Sequence, residues 1–118
     1  MQPNKGQVME KIFNKLVRDK IPEIIEANGE IAKCRILDEK EFKAELEKKL
    51  FEEYNEVLES AGNERVEELA DMLEIIKALA EVEGSNLKEV IQVAEAKAQK
   101  RGAFKEKIFL EKTIKEDK

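Results

Sequence analysis

Apolar residues recur at three- and four-residue intervals through the middle of the chain. Phe42, Leu46, Leu50 and Val57 fall on one side of a helix with 3.6 residues per turn, and Tyr54, Leu58 and Phe51 widen that stripe. Val66, Leu69, Met72, Leu73, Ile75, Ile76, Leu79 and Val82 cover most of a second helix and leave Glu67, Glu74 and Glu81 as its polar face. Leu87, Val90, Ile91, Ala94 and Ala98 form the stripe of a third. Asp38 with Glu41 reads as a capping box that opens a helix over 39–60, and Gly62 follows its end. Asn63 is expected to cap a helix over 64–83 stopped by Gly84, and Ser85 one over 86–101 stopped by Gly102. Upstream, Pro22 suits the first turn of a short helix that Asn28 and Gly29 end. Segments 31–37 and 107–110 are short and β-tolerant and could pair as a small two-stranded element. Short loops make consecutive helices antiparallel neighbours. The expected fold is an all-α antiparallel helical bundle, one domain over 1–118, with 1–11 and 113–118 irregular.

Four acids break this pattern. Glu53 falls inside the stripe of the 39–60 helix, between Phe42 and Leu46 in projection, and Glu56 lies at its edge about 60° away. In the next helix Glu68 projects between Ile75 and Leu79, and Asp71 between Ala78 and Val82. An ionised carboxylate turned toward a core is costly unless compensated, and four converging would raise one another's pKa values. A divalent cation removes both costs. The i, i+3 spacing sets each pair side by side on one helix face, so two such pairs on adjacent helices could surround one or two ions. The competing reading is that an acid-rich chain places some glutamates beside an apolar stripe by chance, or pairs them with Lys or Arg.

Composition narrows the chemistry. The chain has no histidine, which removes His-based acid–base and nucleophilic catalysis and His-containing metal sites. Carboxylate ligands point to a hard ion, Mg²⁺ or Mn²⁺. The net charge of −5 disfavours nucleic-acid binding through a broad basic surface. No apolar run approaches a membrane span, and the first residues lack an apolar signal core, so a cytoplasmic protein with no membrane partner is expected. The single cysteine, Cys34, reads as a packed strand residue.

The acids also form a pattern. Glu52-Glu53-Tyr54-Asn55-Glu56 followed by Glu68-Leu69-Ala70-Asp71 resembles the EExxE…ExxD signature of the MazG / phosphoribosyl-ATP pyrophosphohydrolase-like superfamily. NKLVRDKIPEII (14–25) and KRGAFKEKIFL (100–110) are similar to the N- and C-terminal segments of a MazG-like subgroup. Eleven residues separate Glu56 from Glu68, at the short end of that family's gap. The resemblance implies an all-α, Mg²⁺-dependent, oligomeric enzyme, here a homodimer or homotetramer. It would cleave a small-molecule nucleotide between its α- and β-phosphates, releasing pyrophosphate. It also implies metal ligation by Glu53, Glu56, Glu68 and Asp71, with Glu52 orienting a ligand or water.

Such chemistry needs charge neutralisation and a positioned water more than a covalent intermediate. Glu52 and Glu56 are the candidate general bases, and the sequence does not choose between them. Lys15, Arg18 and Lys20 near the start, with Lys97 and Arg101 on the third helix, are the candidate phosphate-binding cations. Each could equally snorkel from the core or pair with a surface glutamate. Asp19 is expected to hold Arg18 or a backbone amide. Tyr54 and the phenylalanines are the only base-stacking candidates, and Phe104 reads as a core residue. A helical interaction module without catalysis is the alternative from a different class.

Overall fold

Asp38 accepts a hydrogen bond from the Glu41 amide at 2.8 Å, so the chain enters its first long helix with an orphan donor satisfied. A computed structural model describes residues 9–117. It contains α1 (Ile21–Ala27), α2 (Glu39–Glu59), α3 (Gly62–Val82) and α4 (Leu87–Arg101), and no strand among the described residues. Residues 1–8 and Lys118, expected to be irregular, lie outside the described residues. The described parts of both end segments are irregular, as expected. No described helix is long and apolar enough to cross a membrane.

The capping box is half made: the Glu41 carboxylate turns instead to Arg35, at 2.8 Å from Nη2. Pro22 occupies the first turn of α1 as expected. Two helix starts differ from expectation. Ala61, not Asn63, precedes α3, and it offers no side-chain cap. Asn86, not Ser85, caps α4, accepting from the Glu89 amide at 2.8 Å. Ser85 is already committed: its amide reaches back to the Ala80 carbonyl at 2.8 Å, while the Gly84 amide bonds Glu81. That pair is a Schellman motif, and it needs the left-handed φ of +79° that Gly84 adopts.

α2 and α3 are linked by Ser60 and Ala61 alone and pack as an antiparallel pair. Lys43 near the start of α2 meets Glu83 just beyond α3 at 3.0 Å, which holds the open end of the hairpin. Among the described residues, Leu46 and Val57 from α2 and Ile75 and Ala80 from α3 are buried. Phe42, Leu50, Met72, Ile76, Leu79 and Val82 are half-buried around them. The residues that widen each stripe face outward: Phe51, Tyr54 and Leu58 on α2, and Val66, Leu69 and Leu73 on α3.

α4 packs on α3 over a shorter length. Leu87 and Val90 are half-buried, but every residue from Ile91 to Arg101 is exposed. The stripe expected to join a bundle is therefore bare in one chain. Gly102, at φ +86°, turns the chain out of α4 into an irregular arm over 103–117.

The expected β element is absent from the described residues. Segment 31–37 is irregular, with Ile36 96% exposed, and no backbone hydrogen bond joins it to 107–110. Two short segments with no sheet or helix to lie on bury too little apolar surface to hold a lone ladder. Lys107 adopts φ +57°, which breaks extension in the second of them. Cys34, expected to be packed in that strand, is exposed, and so is Phe104, expected in the core.

The whole is elongated, 86 × 33 × 26 Å, with a radius of gyration of 21.4 Å. A compact chain of this length would have roughly 13.5 Å. The helices are those of a hairpin with appended arms rather than a closed bundle.

Candidate metal centre

Each long helix brings its acids to the hairpin seam by spacing alone. Glu53 lies seven residues beyond the buried Leu46, two turns along the same face of α2, which directs its carboxylate toward α3. Glu68 and Asp71 are three apart on α3, and Asp71 lies four residues before the buried Ile75. Carboxylate oxygens of Glu53, Glu68 and Asp71 accordingly lie within 4.8 Å of one another, and all three residues are half-buried. Glu53 Oε2 is buried and has no hydrogen-bond partner among the described residues. That is an unusual state for a carboxylate oxygen, since a buried acceptor left unpaired normally costs free energy.

The Glu68 carboxyl is held above the usual carboxylate range. Partial burial is the main cause, followed by the adjacent Glu53, to which protonated Glu68 can donate a hydrogen bond. The charges of Glu56 and Asp71 add to it. Glu56 is exposed and stands outside the group of three, yet is near enough for Glu68 to feel its charge.

Asp71 has a protein partner. Arg18 Nη2 donates to its Oδ1 at 2.8 Å, with the two side chains 55% and 43% exposed. Arg18 was expected to face phosphate, or to be held by Asp19. Instead it crosses 53 positions of sequence to the acidic seam. It compensates one carboxylate of the cluster, and no ion pair among the described residues reaches Glu53 or Glu68.

The other candidate residues divide. Glu52 and Lys15 line a groove of about 280 Å³ between residues 13–16 and the α2 residues Glu45, Lys48, Lys49 and Glu52. Sequence reasoning passed over Lys48 and Lys49. Their positions four and three residues before Glu52 set them on its face of the helix, and that spacing was the available signal. Lys20, Lys97 and Arg101 are exposed and make no ion pair among the described residues. No hydrogen bond or ion pair among the described residues joins Lys97 or Arg101 to the acids. Tyr54 stacks at a tilt on Phe51, ring centroids 6.2 Å apart, on the outward stripe of α2.

The donor set suits a hard cation: three carboxylates, no nitrogen, no sulfur. Ligand oxygens of one Mg²⁺ are at most about 4.2 Å apart at bond lengths near 2.1 Å. At most one pair among three ligands can span that distance, the others being about 3 Å apart, so oxygens that lie within 4.8 Å of one another would draw together by side-chain rotation to hold such an ion. Glu53 Oε2 supplies a lone pair that no donor among the described residues uses.

No family model, no curated protein and no solved structure matches the chain.

Proposed function

We propose that the protein is a Mg²⁺-dependent nucleotide pyrophosphohydrolase of the MazG-like kind, acting as a homodimer or homotetramer. It would convert a nucleoside triphosphate, or a related nucleotide, to the monophosphate and pyrophosphate. The observation that carries this reading is the convergence of Glu53, Glu68 and Asp71 within 4.8 Å at the α2–α3 seam, around an unpaired Glu53 oxygen. Glu53, Glu68 and Asp71 would hold the cation, with Glu56 as the fourth carboxylate. When bound, Mg²⁺ supplies charge neutralisation for a phosphate chain and acidifies water. The chain's own groups then have distinct tasks. Glu52 or Glu56, on the outer side of the cluster, accepts the proton of the attacking water. Arg18, already at Asp71, fixes that ligand and presents its remaining N–H donors to phosphate oxygens. Lys15, with Lys48 and Lys49 across the groove, provides positive charge beside Glu52 for the departing phosphates.

The test is a pyrophosphate-release screen over canonical, deoxy and modified nucleotides, with and without Mg²⁺. Metal-dependent release that disappears in Glu53→Gln is the expected result. Silence over the whole panel would overturn the reading.

A non-catalytic interaction module is favoured by one observation: the outward apolar stripes of α2 and α3, which look like binding surface rather than surface for water. On that reading Glu53→Gln leaves partner binding unchanged, and no nucleotide turns over.

A further inference from the structure

Arg18 reaches the acidic seam from outside the hairpin. Its Nη2 donates to Asp71 Oδ1 at 2.8 Å, and this is the one ion pair among the described residues that ties the segment before α1 to a long helix. The same segment meets the other helix of the hairpin: residues 13–16 face Glu45, Lys48, Lys49 and Glu52 of α2 across the groove. Asp71 is ten residues beyond Ala61, and ten residues before Ser60 is Leu50. In an antiparallel pair joined by that link, Asp71 thus stands about level with the 45–52 stretch of α2. Residues 13–18 therefore cross the hairpin as a strap from α2 to α3, about one turn from Glu53.

Little else holds this part of the chain. Leu16 is the only residue of 9–20 that is not exposed. α1 has seven residues, none of them buried, and it rests on no other described helix. A helix so short is marginal in water by itself. Its start depends on Arg18, whose carbonyl accepts from the Ile21 amide at 3.0 Å. The Arg18–Asp71 pair is about half exposed, and exposed pairs hold segments together only weakly. The strap is therefore poised between docked and free, and whatever steadies Asp71 shifts the balance.

We propose that Arg18 is a positioning residue for the cation site, and that Mg²⁺ capture by the carboxylates and docking of the 13–18 strap with α1 support one another. This rests on the metal-dependent reading above. Arg18 engages Oδ1 of Asp71, and no hydrogen bond or ion pair among the described residues uses Oδ2. A carboxylate can accept from a guanidinium on one oxygen and ligate a cation with the other. Donors that hold ligands in this way raise metal affinity by roughly ten- to a hundredfold. Charge permits the arrangement: Glu52, Glu53, Glu56, Glu68 and Asp71 carry up to five negative charges, so a divalent ion leaves the seam attractive to a guanidinium. Linkage makes the effect reciprocal, so the ion tightens the strap by the factor by which the strap tightens the ion. Lys15 travels on the strap, and the ion that fills the carboxylates thereby fixes a lysine beside Glu52.

The experiment pairs Mg²⁺ titration by calorimetry with amide hydrogen exchange read by mass spectrometry, on the full chain and three variants. In wild type, saturating Mg²⁺ is expected to slow exchange over 21–28 by roughly tenfold or more. Arg18→Gln should bind Mg²⁺ roughly ten- to a hundredfold more weakly, and its exchange over 21–28 should be fast with or without the ion. Arg18→Lys should recover much of the affinity, because the contact is one N–H···O bond. Lys20→Gln removes the same charge two residues away, from a side chain with no ion pair among the described residues, and should bind as wild type does. The sign is decisive, because losing a positive charge that acts only through space would tighten cation binding. Equal or tighter binding by Arg18→Gln would overturn the proposal. So would exchange over 21–28 that ignores Mg²⁺ in a wild type that binds it. A wild type that binds no Mg²⁺ would instead overturn the metal-dependent reading, and this proposal with it. Should Arg18→Gln misfold, the wild-type exchange comparison decides alone.

Discussion

Glu53 is the residue on which the chemistry turns. Its buried oxygen lacks a donor among the described residues, so the hydration that this acceptor loses on folding is not replaced in the metal-free hairpin. Glu53→Gln should therefore leave the melting temperature in chelator unchanged or raise it by a few degrees, and should abolish the stabilisation by Mg²⁺. For wild type that stabilisation is about 1.4 kcal/mol at tenfold excess over the dissociation constant; scanning fluorimetry with and without metal measures both. Glu68 makes a second expectation, with a definite sign. Its carboxyl titrates above the usual range in the folded chain, so the native state binds that proton more tightly than the unfolded state does. Its contribution is unfavourable at neutral pH and is relieved as pH falls through the raised pKa toward the ordinary glutamate value. In chelator, the stability advantage of Glu68→Gln over wild type should be largest at neutral pH and shrink over that window. A constant advantage would contradict the assignment. The inward acids were legible because helical projection needs only spacing. The Arg18–Asp71 pair was not, since no local pattern links positions 53 apart in an irregular segment and a helix.

At the scale of the element, the helices were read well and their starts less well. The stripes predicted all three long helices. Asn63 and Ser85 were natural choices by residue type for caps, but α3 begins earlier, at Gly62, and Ser85 serves the end of α3 rather than the start of α4. Capping competes with the closure of the preceding helix, and type alone does not show which wins. Asn86→Ala should cost about 1 kcal/mol, and Gly84→Ala about 1–2 kcal/mol because alanine must enter the left-handed region. Ser85→Ala should cost little, since the bond it makes there comes from its backbone amide. Urea melts of the three variants test that ordering. The small β element failed for a different reason: β-tolerant residues at 31–37 and 107–110 lacked a surface on which pairing would bury them.

For the whole molecule, period and composition indicated an all-helical chain but not its openness. A stripe looks the same whether its partner is the next helix or another copy. Leu46, 3% exposed, reports on the intrachain seam, and Leu46→Ala should cost about 2–5 kcal/mol. Association should make stability depend on concentration: tenfold dilution should lower the melting temperature of the full chain, as expected when folding and assembly are linked. A melting temperature constant over a hundredfold range would place all the stability in the single hairpin.

The Ser60–Ala61 link has a consequence for how the chain can vary. Exposed helix connections usually accept extra residues with little harm. This one acts as a ruler, because two residues leave no slack to absorb a change in phase. One residue added between Ser60 and Ala61 would either shift α3 by about 1.5 Å and 100° against α2 or force the start of α3 to unwind. In the first case Glu68 and Asp71 would swing away from Glu53 while every helix remained intact. Length variation at this turn is thus a way to separate folding from cation capture without altering a single ligand.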